Sequence, residues 1–153
     1  MLSIYDNCAV VSENMFGDRC KYQERARKAF PILIDKAKHG DPITYGDLAQ
    51  AIGVEGPRAG FNMHRVCGSI SATLCWHEQT TGEKLYKKRL SMIVIKQHRK
   101  LASWVLDDLR TLLQREPSFE DYEREVLAHI FSYREWDTVY DRIRTTLQSE
   151  GYL

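Results

Sequence analysis

The sequence predicts a mainly α-helical protein organised around a helix-turn-helix in residues 43–76. Apolar residues recur at the three- and four-residue spacing of helices through most of the 153 residues, 43% of which are hydrophobic. Helix start and stop signals flank a Gly-containing turn in this stretch, and a β-rich run at 90–95 breaks the helical pattern. A chain of this length buries one core, so we expect a single domain over 19–153, preceded by an N-terminal arm at 1–18.

The first predicted helix runs from Arg19 to His39, with small and apolar residues on one stripe and Lys and Arg on the other. Pro31 lies inside it, and because proline has no amide N–H we expect a kink or a restart there. Gly40-Asp41-Pro42 then ends the helix. The arm before it has short apolar runs broken by Asp, Asn and Gly, which fit a lightly ordered segment or a short strand.

The helix-turn-helix opens with a helix predicted from Tyr45 to Ile52. Thr44 and Asp47 stand three residues apart, the spacing of a capping box, in which the two side chains satisfy amide N–H groups at a helix start. Gly53 can adopt the left-handed conformation that commonly ends a helix. Local signals therefore set both ends of this helix.

The second helix of the motif is expected to start at Pro57, because proline suits the first helical position. One stripe is apolar and is assigned to the core: Met63, Val66, Cys67, Ile70 and Leu74. The opposite stripe is expected to be exposed: Arg58, Asn62, Arg65 and Ser69. A face that carries Arg and Asn without an acid can contact phosphates and purine edges. Together with Thr44 and Tyr45 it is the predicted nucleic-acid-binding surface.

A basic, acid-free segment at 84–100 follows a polar turn at 78–84. Its apolar centre, Leu90 to Ile95, has the composition of a β-strand. The basic residues that lead into it are Lys87, Lys88 and Arg89. A strand or hairpin directly after the second helix is the wing of a winged helix, and these side chains would then contact the phosphate backbone. The alternative is a strand edge whose lysines only protect it against aggregation.

The C-terminal part, residues 98–150, is predicted to consist of helices that wrap this winged-helix-like core. Helical periodicity resumes at 98–114, and Ser118 with Asp121 repeats the capping-box spacing before the next helix. A last helix starts near Trp136. The aromatic residues here recur at helical spacing, which favours core positions over a base-stacking platform.

Charge is unevenly distributed, although the formal net charge is only +1. Residues 1–106 hold 16 Lys and Arg against 10 Asp and Glu, whereas residues 107–153 hold 6 against 11. The basic front suits an anionic ligand, and the acidic tail suits a protein partner. An imbalance of this size also arises in amphoteric proteins without any functional cause.

Four cysteines, Cys8, Cys20, Cys67 and Cys75, form no CxxC pair. The sequence has no signal peptide and no long apolar run. We therefore expect free thiols in a reducing, cytoplasmic setting and no contact with a membrane.

Metal binding and catalysis are less well supported by the residues. His64, Cys67, Cys75 and His77 offer ligands that suit zinc, but both cysteines fall on the apolar stripe, where a reduced Cys is commonly a small core residue. Cys67 follows His64 by three residues without a third group that would activate the thiol. Neither Glu-x-Lys nor Asp-x-Lys occurs, and phosphate-cradling glycine motifs are absent. We expect no cofactor, no metal and no catalytic residue.

A family resemblance is carried by three short segments: Ile43-Thr44-Tyr45-Gly46-Asp47-Leu48-Ala49, Ile52-Gly53 and Gly56-Pro57-Arg58-Ala59. They resemble the helix-turn-helix of O6-alkylguanine-DNA alkyltransferases and alkyltransferase-like proteins. The resemblance implies a winged helix bound to duplex DNA, with Tyr45 near a rotated phosphate and Arg58 as a finger in the base stack. The family's Pro-Cys-His-Arg-Val active-site motif lies well downstream, whereas here the stretch 62–66, NMHRV, follows at once and lacks the cysteine. Alkyl transfer is therefore not expected.

A second resemblance concerns the order of elements: TYGDLA, a helix, an apolar strand and a late aromatic segment at 131–136. This order is similar to that of small, uncharacterised bacterial proteins of winged-helix-like type. It supports the fold and names no activity.

Three functions follow from these observations. The first is a non-enzymatic, winged-helix binder of duplex DNA. The second is a protein-binding adaptor, or an assembly or inhibitor subunit, in which the acidic helices 118–150 contact a protein partner or a second copy of the chain. The third is a small enzyme that acts on nucleic acid. Salt-sensitive retention on nonspecific DNA separates the first from the second.

Overall fold

The computed structural model of the protein describes residues 18–85 and 89–149, and the described chain is mainly helical, as predicted. Its elements in order are α1 (Asp18–His39), β1 (Ile43–Thr44), α2 (Tyr45–Ala51), α3 (Ala59–Thr81), β2 (Val94–Ile95), α4 (Ser103–Leu113), α5 (Phe119–Tyr122), α6 (Ala128–Phe131) and α7 (Trp136–Ser149). Short 3-10 helices lie at Leu90–Ile93 and Gln97–Arg99, and a π-helical turn, Glu123–Leu127, joins α5 to α6. The arm predicted at 1–18 lies outside the described residues, except that Asp18 begins α1.

Helix α1 is the element against which much of the core packs. Its buried stripe includes Ala26, Phe30 and Leu33, and it contacts α3, α6, α7 and the 3-10 helix before β2. Pro31 lies within one continuous helix, so the helix does not restart there. In the described part of the chain, none of the helices combines the length and the apolar character needed to cross a bilayer.

The predicted helix-turn-helix is formed by α2 and α3. Thr44 Oγ1 accepts a hydrogen bond from the Asp47 amide at 3.1 Å, which confirms the N-cap, and Gly53 ends the helix in the left-handed region with φ +78°. The two helices approach closely where a side chain on Gly60 would meet the Gly46 amide nitrogen at 3.5 Å. Helix α3 continues through the predicted polar turn and ends at Thr81, because Gly82 then takes a left-handed conformation.

The predicted wing is not confirmed in the part of it that the structure describes, although a short strand forms there. The apolar run at 90–95 forms a 3-10 helix and the two-residue strand β2, which pairs in parallel with β1. In register, Ile43 stands opposite Val94, so the strand closes onto the segment that precedes α2 rather than folding into a hairpin. Lys87 and Lys88 lie outside the described residues, and Arg89 is exposed.

The C-terminal helices pack against α1 and the 3-10 helix before β2. The capping box of α5 is present, because Ser118 and Asp121 each bond the other's backbone N–H. Trp136 is buried and donates from Nε1 to the Ile130 carbonyl at 2.9 Å. Tyr140 of α7 stacks on Phe30 of α1 with ring centroids 5.7 Å apart, which joins the last helix to the first.

Candidate nucleic-acid interface

The face of α3 predicted to bind nucleic acid is exposed at both of its arginines. Arg58 and Arg65 are exposed and Asn62 is half-buried, and among the described residues neither arginine has a carboxylate at ion-pair distance. The Arg65 guanidinium lies 5.1 Å from the centroid of the Tyr22 ring, a cation–π contact that leaves its N–H groups able to bind an anion.

Ser69 does not belong to this face. It is buried with 1% exposure, and its Oγ has no hydrogen-bond partner among the described residues. The prediction that it is exposed is wrong. Helix α3 packs against α1, α2 and the 3-10 helix before β2, so its buried stripe widens after the second turn.

Thr44 and Tyr45 connect the start of α2 to this face. The Thr44 hydroxyl already accepts the bond that caps α2. Tyr45 is half-buried and stacks on His64 of α3 with ring centroids 4.6 Å apart. Burial, with a smaller contribution from Cys67, raises the pKa of Tyr45 to about 12, so the phenol stays neutral and can act as a hydrogen-bond donor.

A cavity of about 180 Å³ opens beside Tyr45 and His64. Its remaining walls come from α3, β2, α4 and α5, and include Cys67, Ser71, Ser91, Val94, Val105 and Tyr122. The Ser71 and Ser91 hydroxyls are hydrogen-bonded at 2.7 Å, and Lys96 and Lys100 stand at the rim. The volume suits a single ring or a few ordered waters rather than a large ligand.

Cys67 cannot serve as a ready nucleophile in this cavity. Burial raises the pKa of its thiol to about 12, so the thiolate is scarcely populated at neutral pH. His64 lines the same cavity, but its ring already contacts the rings of Tyr45 and Phe61.

The segment between β2 and α4 is basic and strained. His98 and Arg99 both adopt left-handed backbone conformations, with φ of 60° and 55°. Two successive non-glycine residues in that region cost conformational energy, which the surrounding contacts must offset. The Arg99 guanidinium lies over the Phe119 ring at 5.4 Å, while Lys96 and Lys100 are exposed without a carboxylate at ion-pair distance in the described chain.

The four His and Cys residues considered as zinc ligands are separated. Cys67 lines the cavity next to Tyr45, whereas Cys75 is exposed and lines a different depression on α3. His77 is buried and bonds Glu83 through Nε2 at 2.9 Å. Across residues 18–85 and 89–149, no three His, Cys, Asp or Glu side chains are grouped so that they could hold a metal ion.

Glu83 is the centre of a second polar cluster. It accepts hydrogen bonds from His77 and Tyr133, and Arg142 Nη1 lies 3.7 Å from its Oε2. Partial burial opposes its ionisation, but the two hydrogen bonds and the nearby cations outweigh that effect and lower the pKa of Glu83. This cluster ties the end of α3 to the C-terminal helices.

Phe61 is the residue of this face that the sequence-based prediction missed. Its side chain is 68% exposed, and its ring meets the edge of His64 with centroids 5.7 Å apart. The spacing contained the signal, because Phe61 follows Arg58 by three residues and precedes Arg65 by four, and so shares their stripe.

The chain thus combines a helical fold with an acid-free face on α3. Comparisons with protein-family models, with curated proteins and with solved structures find no match.

Proposed function

We propose that the protein is a non-enzymatic binder of duplex DNA that uses the exposed face of α3. The observation that carries this proposal is the contrast between unpaired and paired cations. Arg58, Arg65, Lys96 and Lys100 have no carboxylate at ion-pair distance among the described residues, whereas four of the six arginines after residue 107, namely Arg110, Arg115, Arg124 and Arg142, each lie beside a carboxylate. Unpaired cations gathered around one helix keep their charge available for phosphates.

The residues of the interface have different roles in this proposal. Arg58, Asn62 and Arg65 lie at the start of α3, the part of a second helix that reaches base edges in the major groove. Lys96 and Lys100 lie across the cavity from α3 and contact phosphates. Arg89, Lys87 and Lys88 keep the phosphate-contacting role expected from the sequence, and Arg89 lines the separate depression beside Cys75. Tyr45 donates its phenolic hydrogen to a phosphate oxygen. We assign this function to the cytoplasm, where the free thiols of Cys67 and Cys75 are stable.

The resemblance to alkyltransferases supports binding without alkyl transfer. The stretch 62–66, NMHRV, shares His-Arg-Val with the family's Pro-Cys-His-Arg-Val motif but has Met63 where the motif has its cysteine. The thiol that accepts the alkyl group is therefore absent from this stretch.

A salt titration tests the proposal. Binding of a labelled random-sequence duplex is measured by fluorescence anisotropy between about 50 and 200 mM salt for the parent and for Arg58→Ala/Arg65→Ala. We expect the affinity of the parent to fall steeply with salt, and the double variant to lose about one unit of log–log slope per phosphate contact removed. If Arg58 reads a base, its loss costs about 1–3 kcal/mol on a preferred site.

The matched control is Arg134→Ala/Arg144→Ala, which removes the same charge from two exposed arginines of the acidic part. Its affinity and salt slope are expected to equal those of the parent, and circular dichroism should show all three proteins folded. If the parent is not retained on DNA at the lowest salt, DNA binding is wrong. The adaptor function, with the acidic helices as the partner face, then replaces it.

A further inference from the structure

Phe61 is an apolar ring held in solvent on the proposed DNA-binding helix. Among the described residues, the large hydrophobic side chains that are mostly exposed are Phe61, at 68%, and Leu112, at 62%. Exposing a phenyl ring forgoes the stabilisation that burial would give it, and it leaves the ring accessible to a ligand.

The Phe61 ring is held in place by a chain of contacts with two other rings. The Phe61 and His64 rings meet in a T-shaped arrangement at an interplanar angle of 69°, and His64 in turn contacts the Tyr45 ring at 35°. Tyr45 begins α2 and is half-buried against the core. Three rings therefore lead from the core to the solvent, and Phe61 is the outermost. Such support limits the rotamer freedom that the ring would lose on binding.

The charges around Phe61 indicate what it contacts. Arg58 and Arg65 lie one turn before it and one turn after it, and no acidic residue occurs from 56 to 77. Leu112 is different, because exposed carboxylates at Asp107, Asp108 and Glu116 surround it in sequence. A phenyl ring between two arginines fits a ligand with aromatic bases inside and phosphates outside, whereas an apolar protein groove would leave both guanidinium groups desolvated.

We propose that Phe61 is a wedge that enters the base stack, and that the preferred ligand is duplex DNA in which a base is missing or unstacked. This inference rests on the proposed function and narrows its substrate class. In a fully paired duplex the ring must separate two stacked bases, at a cost that offsets its own stacking. Where a base is missing or already unstacked, the ring does not have to separate two stacked bases. The full benefit of stacking on the neighbouring base therefore remains.

The test compares two duplexes of the same sequence, one fully paired and one with a single tetrahydrofuran abasic site, by fluorescence anisotropy at low salt. We expect the parent to bind the abasic duplex about 5- to 150-fold more tightly, as one stacking contact provides. Phe61→Ala should remove most of this difference, because it should weaken binding to the abasic duplex much more than binding to the paired duplex. Leu112→Ala is the matched control and should behave as the parent.

A second measurement does not depend on any variant. With 2-aminopurine next to the abasic site, stacking of the Phe61 ring should change the emission on binding of the parent, and Phe61→Ala should abolish the change. Equal binding of both duplexes by the parent and by Phe61→Ala would overturn the wedge, leave DNA binding intact and reassign the ring to a protein contact. Absence of binding to either duplex would overturn both the wedge and the proposed function.

Discussion

Asp121 is the most heavily hydrogen-bonded carboxylate in the described chain, and it joins two arginines to the start of α5. It accepts two hydrogen bonds from Arg115, at 2.7 and 2.6 Å, one from Arg124 at 2.8 Å and one from the Ser118 amide at 2.7 Å. The Arg115 guanidinium is the largest cause that holds the pKa of this buried carboxyl well below its usual range. Its charge therefore stabilises the start of α5.

We predict that Asp121→Asn lowers the melting temperature by several degrees at neutral pH. Because the pKa is lower in the folded state than in the unfolded one, the stabilisation is complete above about pH 5, and it is lost as the pH falls below the unfolded value of about 4. The difference between parent and variant should therefore shrink in acid, as thermal melts between about pH 7 and pH 2.5 would show.

Glu120→Gln is the control for this prediction, because it removes the same charge from an exposed neighbour. It should melt like the parent throughout. A gap between parent and Asp121→Asn that stays constant with pH would mean that shape, rather than charge, explains the effect.

The residue-scale predictions from sequence succeeded where the partners are close in the chain. The capping bonds of Thr44 and Ser118 follow from a three-residue spacing, and both are present. Ser69 was misjudged because the exposure of a helical side chain depends on which other elements pack beside it. Spacing along one helix does not contain that information.

At the scale of elements, composition predicted correctly that the apolar run at 90–95 contains a strand, but it did not predict the strand with which it pairs. Val94 and Ile95 do form a strand, but its hydrogen-bonded neighbour is β1, about fifty residues earlier, rather than an adjacent hairpin arm. The preference of β-branched residues for strands depends on what they pack against. Pairing between distant segments is a property of the tertiary fold, which periodicity cannot reveal.

The turn of the helix-turn-helix provides a prediction at this scale. A side chain at Gly53 would meet no atom within 4 Å, so any penalty for substitution comes from its left-handed backbone, φ +78°. We expect Gly53→Val to cost about 1–2 kcal/mol and to lower the midpoint of urea unfolding. Gly53→Asn should cost much less, because asparagine tolerates this conformation. Equal effects of the two substitutions would contradict the assignment.

At the scale of the whole molecule, the first and last described helices, α1 and α7, pack against each other in one core. Tyr140 stacks on Phe30, and Lys38 pairs with Asp137 at 2.8 Å. The ion pair is exposed and contributes little, so the coupling between the two helices depends on their buried apolar residues, among them Ile143 at 0% exposure.

We therefore predict that Ile143→Ala destabilises the helix-turn-helix as well as α7. The truncation should cost about 2–5 kcal/mol, and hydrogen exchange should show the slowest amides of α3 and α7 losing the same protection. The exposed Gln148→Ala, on the same helix, should leave both unchanged. Loss of protection in α7 alone would show that the two regions unfold independently.

The small parallel sheet also affects how the protein behaves when it is concentrated. Each described strand has two residues, Pro42 before β1 has no N–H to donate, and Lys96 after β2 is charged and exposed. Neighbouring molecules add to a sheet edge through a row of unpaired main-chain groups, and long flat edges invite such growth. Strands this short, flanked by proline and lysine, offer almost no template for it, so intermolecular β-pairing should not start at this sheet.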